Sequence, residues 1–132
     1  MIGGSELPRS RQTSSPRSRA YRALESPSAR RVTVLPASGC DLPVPSVPAQ
    51  VRDVWTPVQK RRWRELWRSP QATQWDESCS GTVALLVSYE SRLLDGDGSA
   101  WVAQEARYAA EALGLTPKAM NALGWVIEET EE

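Results

Sequence analysis

The stretch Thr56-Pro57-Val58-Gln59-Lys60-Arg61-Arg62-Trp63-Arg64-Glu65-Leu66-Trp67-Arg68 decides how the rest of the chain is read. A hydroxyl residue followed by proline marks a helix start. The side-chain oxygen satisfies an orphan amide, and proline at the first helical position lacks only an N–H that has no partner there anyway. Gln59, three residues after Thr56, completes a capping box by reaching back to the N-cap amide. The helix is expected over 57–68, with Trp63, Leu66 and Trp67 on one stripe and Lys60, Arg61, Arg62, Arg64 and Arg68 around the remainder.

The same signature recurs at Ser69-Pro70 and Thr116-Pro117. Ser69-Pro70 stops the first helix and opens a short helical turn through Trp75, after which Asp76 caps a second helix over 77–94. That helix carries two apolar stripes: Val83, Leu86, Val87 and Leu94 on one, Leu85, Tyr89 and Leu93 on the other. It therefore needs more than one neighbour. Asp95-Gly96-Asp97-Gly98 reads as a turn, and Ser99 caps a third helix over 100–113 with Val102, Ala106, Ala109 and Leu113 aligned. So short a loop makes the second and third helices an antiparallel hairpin. Gly114 terminates the third helix, a last one follows over 117–123, and Trp125, Val126 and Ile127 remain to pack behind it. The expected fold is all-α: a small helical domain, residues 51–127, with a central antiparallel helical hairpin.

Residues 1–50 read differently. They hold seven of the ten prolines, mixed with Ser and Arg and almost without aromatics, so little apolar surface offsets the entropy of ordering. A long disordered basic arm is expected there, in which Val32, Val34 and Leu35 could make one short extended contact with a partner. At the other end, 128–132 is expected to fray as an acidic tail.

The net charge of zero conceals a division. Residues 1–70 carry thirteen Lys and Arg against five acids, a net of +8, and residues 71–132 carry three against eleven, a net of −8. Different partners are implied at the two ends. The basic half suits a polyanion such as DNA, where each cation near a phosphate releases counterions; the acidic tail suits a basic protein. Solvating charge is the plainer reading of both.

Familiar catalytic routes find little support. The chain has no histidine, which removes imidazole bases, His-based triads and HExxH zinc sites, and no GxxxxGK[ST] loop is present. Asp95, Asp97 and Ser99 open like a calcium loop, but Ala100 stands in place of the turn glycine and Ala106 in place of the bidentate Glu. Glu105 and Glu111 have no third acid beside them, so a metal nuclease is weakly supported. No catalytic residue, metal or cofactor is expected. Cys40 and Cys79 are the only cysteines, with no CxxC and no leader, and no apolar run approaches a membrane span, so a soluble intracellular protein with reduced thiols is expected.

Trp55, Trp63 and Trp67 interleave with Arg61, Arg62, Arg64 and Arg68, a pattern open to base stacking. Yet Trp63 and Trp67 stand at i and i+4 on the apolar stripe, where core is the commoner use. The basic face of the first helix is the best binding feature, with the arm's arginines, Arg17, Arg19, Arg30 and Arg31 among them, as a flexible addition; both would grip phosphates without reading bases. A fold this small often gains stability by oligomerising. Val83, Leu86, Val87, Tyr89, Leu93, Leu94 and Trp101 are the expected oligomer interface, the alternative being that the chain's own helices cover these stripes.

From Trp55 to Ile127 the segments WTPVQKRRWRELWRSPQATQW and EARYAAEALGLTPKAMNALGW resemble the small terminase subunits of tailed phages, especially those of actinobacterial hosts. Leu113-Gly114-Leu115-Thr116-Pro117-Lys118 matches a run frequent near the C-terminus of that family. Met120 and Asn121 stand where the family often has arginine, and no DNA contact is carried over there. The resemblance implies a non-enzymatic protein of the host cytoplasm that forms a homo-oligomeric ring, binds double-stranded phage DNA at the packaging start and delivers it to the terminase large subunit, which holds the ATPase and nuclease. On that reading Lys60, Arg61, Arg62, Arg64 and Arg68 and the arm bind DNA, and Glu128, Glu129, Glu131 and Glu132 contact the large subunit. Two rivals remain: an adaptor or scaffold whose charged ends both engage proteins, and a small metal-dependent nuclease acting through Asp95 and Asp97.

Overall fold

A computed structural model describes residues 31–130. In chain order the elements are β1 (Thr33–Leu35), α1 (Ala49–Arg52), α2 (Pro57–Trp67), 3₁₀ turns at Pro70–Gln74 and Glu77–Cys79, α3 (Ser80–Leu94), α4 (Ala100–Ala112), α5 (Pro117–Leu123) and β2 (Trp125–Ile127). The fold is mostly helical, as expected, with one small sheet added.

The caps fall where their residue types demand. Thr56 accepts from the Gln59 amide while Gln59 Oε1 accepts from the Thr56 amide at 2.8 Å, closing the capping box. The Ser99 and Thr116 hydroxyls cap α4 and α5 by accepting from the Val102 and Ala119 amides, without the reciprocal bond. At the C-terminus of α4, Gly114 adopts a positive φ of 74°; its N–H donates to Glu111 and that of Leu115 to Ala110. This pair of bonds consumes two orphan carbonyls and turns the chain sharply. Any side chain on Gly114 would also strike the Trp125 ring, 2.1 Å from where its Cβ would lie.

The interior is built on tryptophan. Trp55, Trp63, Trp67 and Trp75 form a continuous ladder with successive ring centroids 5.9, 5.7 and 5.2 Å apart, the last pair edge to face, a spacing that favours aromatic pairs beyond simple burial. Three indole N–H groups fasten it to other parts of the chain: Trp55 donates to Ser88 Oγ, Trp63 to the Pro45 carbonyl and Trp75 to the Leu113 carbonyl. Around the ladder lie Leu66, Ala72, Val83, Leu86, Val87, Ala106, Ala109 and Leu113. The α3–α4 hairpin is the most extensively packed pair of elements, and the small Ala106 and Ala109 side chains let the helices approach closely.

The structure moves one boundary. The expected arm reaches residue 50, yet from Thr33 onward the chain is part of the fold, while 1–30 lies outside the described residues. β1 pairs in parallel with β2, Val34 opposite Val126 and Leu35 opposite Ile127, so of the residues expected to make an extended contact Val34 and Leu35 make it with the chain's own C-terminal strand, and Val32 stays outside the pairing. Leu35 is completely buried. Gly39, at φ 92°, lays its Cα against the Arg68 carbonyl, and the Cys40 amide donates to that carbonyl at 3.0 Å. Leu42, Val44 and Val47 then cover the ladder. A proline-rich strap needs no ladder of its own when it lies on tryptophans that supply the apolar contact.

Candidate nucleic-acid interface

α2 divides its surface sharply. Trp63, Leu66 and Trp67 are buried; Arg61, Arg64 and Arg68 are exposed and Lys60 is half-buried. Among the described residues no carboxylate lies within ion-pair distance of Lys60, Arg64 or Arg68, and Arg61 meets Glu65 only at 4.0 Å with both side chains largely solvated, a pair worth little. From Lys60 to the C-cap Arg68 the face runs roughly 12 Å at 1.5 Å per residue. The burial of the tryptophans decides the question left open above: at positions 55, 63 and 67 they are core, with no face available for bases.

Arg62 does not belong with its neighbours. It projects toward α3, where Nε donates to Glu90 Oε1 at 2.9 Å and Nη2 to Glu90 Oε2 at 3.2 Å, a two-pronged pair. Glu65 accepts a third bond at 3.5 Å. The Glu90 hydrogen bond, opposed in part by burial, raises the Arg62 pKa above its ordinary value, so the guanidinium stays charged. Arg62, expected as a phosphate contact, is engaged within the fold, because one helical step of about 100° carries it from the solvent face of Arg61 to the α2–α3 seam.

The remaining expected DNA contacts divide by position. Arg31 is exposed at the foot of β1, and Arg17, Arg19 and Arg30 lie outside the described residues. The chain runs from β1 through Gly39 to Cys40, whose amide donates to the Arg68 carbonyl.

The expected oligomer interface also separates. Val83, Leu86 and Val87 are interior to this chain, which corrects their assignment: α2 and α4 cover that stripe. Tyr89 and Leu93 are half-buried, whereas Leu94 is 87% and Trp101 57% exposed, and Tyr89 meets Trp101 edge to face at 6.0 Å. Exposed Tyr108 extends this surface along α4. Its signal was the spacing of Trp101, Gln104 and Tyr108 opposite Val102, Ala106 and Ala109. At the C-terminus, the Glu128 amide donates to the Leu35 carbonyl and the Glu128 carboxylate accepts from the Ala37 amide. Only from Glu129 does the acidic end leave the sheet, and Glu131 and Glu132 lie outside the described residues. Asp95 and Asp97 occupy the exposed hairpin turn. Among the described residues no group of three His, Cys, Asp or Glu side chains is placed to hold a metal, and no helix is long and apolar enough to cross a membrane.

The family model for the phage terminase small subunit matches residues 11–132, and the chain belongs to that family. A role in phage genome packaging follows from that membership. No curated protein and no solved structure matches the chain.

Proposed function

We propose that this terminase small subunit is a non-catalytic subunit that binds double-stranded phage DNA through the solvated face of α2. It assembles with further copies into a ring and brings DNA to the large subunit in the infected cell. The observation that carries the reading is the concentration of Lys60, Arg61, Arg64 and Arg68 on one helical face, where among the described residues only Arg61 has a carboxylate nearby, the solvated Glu65 at 4.0 Å. Such a face is about as long as the B-DNA major groove is wide, and its point charges grip phosphates whatever the sequence. The arginines of the arm would add further phosphate contacts.

Assembly would use Leu94, Trp101, Tyr89 and Leu93, beside the hairpin turn, with Tyr108 further along α4, since large apolar side chains left solvated mark interaction surfaces. The acidic end from Glu129 is the contact offered to the large subunit, with Glu128 holding its root. Electrophoretic shift assays on duplex DNA test the reading: R61E/R64E/R68E is expected to lose most of its affinity with its helical circular dichroism intact. Unchanged affinity would return the adaptor reading to the front.

A further inference from the structure

We infer that Glu90 on α3 is the positioning residue of the DNA-binding face, acting through Arg62, and that Arg62 itself contributes no phosphate contact. This rests on the proposed role of α2. α2 and α3 are joined in two different ways. The tryptophan seam holds α2 by apolar packing and by single indole bonds, Trp55 to Ser88 Oγ and Trp63 to the Pro45 carbonyl, none of them a charged fork. The one two-pronged polar link across the seam is Arg62 to Glu90, at 2.9 and 3.2 Å, reinforced from within α2 by Glu65 at 3.5 Å. A guanidinium fork gripped at both prongs fixes direction as well as distance.

The consequence is geometric. Arg62 sits one residue from Arg61 and two from Arg64, so fixing its azimuth directs those side chains, and Arg68 beyond them, away from α3. Partly buried and held by two carboxylates, it is also the one cation of the helix whose charge is already answered inside the fold. Arg and Lys are therefore not equivalent at position 62: a lysine keeps the charge but cannot close the fork.

The experiment measures duplex-DNA affinity over a salt series for the full chain and for R62K, R62Q, E90Q and R64Q, at a temperature where circular dichroism shows all of them folded. If Glu90 positions the face through Arg62, then R62K, R62Q and E90Q each lose several-fold in affinity with the wild-type salt slope retained. R62Q/E90Q is then no weaker than either single variant, because one coupled link has been cut. R64Q is expected to make the slope shallower by about 0.9. R62K binding as the wild type while R62Q loses about 0.9 in slope would make Arg62 a phosphate contact and overturn the inference alone. If R64Q also retains both slope and affinity, the DNA role of α2 falls, and this inference with it.

Discussion

Trp67 and Trp101 illustrate how differently the two ends of the molecule use the same side chain. Trp67 is wholly enclosed, ringed by Trp63 and Trp75 and roofed by the strap of residues 40–47, whereas Trp101 stands more than half exposed with Tyr89 at its edge. What separates them is whether this chain supplies the cover. At the α2 end it does, by folding a proline-rich strap and two 3₁₀ turns over the ladder. At the hairpin's turn it does not, and the large side chains stay solvated. On the function proposed above, the enclosed end would present charges and the solvated end would associate.

The sharpest way to break this contrast is to empty the enclosed end. Trp67→Ala is expected to destabilise the domain by about 3–5 kcal/mol, which approaches the whole stability of a small fold; thermal unfolding should lose its cooperative transition. A variant with an undiminished transition would show that the ladder is not the core. Gly114→Ala comes next. It combines a strained positive φ with a Cβ driven toward the Trp125 ring, and a loss of about 2 kcal/mol is expected in urea unfolding. Thr56→Ala, which opens the capping box of α2, should lose about 1 kcal/mol. Trp101→Ala should barely alter the fold, by less than about 0.5 kcal/mol, while native mass falls from an assembly toward the single chain. An intact assembly would place the interface elsewhere.

Much of this was legible before any coordinates. Thr56, Ser99 and Thr116 announce their helices because capping is local chemistry, and Gly96 and Gly114 announce the ends for the same reason. The basic face followed from helical period alone. What was not legible depended on distant partners. Residues 33–47 read as disordered because their stability lies in tryptophans and a C-terminal strand far along the chain; the alternation Leu42-Pro43-Val44-Pro45 was the one local hint of a covering strap. Arg62 looked like its neighbours because Glu90, 28 residues away, leaves no mark on the spacing of α2. Val83, Leu86 and Val87 could not be told from an interface stripe until the helices covering them were in place.

The central claim is that the solvated face of α2 holds DNA while the hairpin end holds the assembly. Its most direct test is the salt dependence of duplex-DNA binding by R61Q/R64Q/R68Q beside the wild type. The account predicts a slope shallower by about 0.9 for each arginine removed, with native mass unchanged. A wild-type slope in that variant would contradict it.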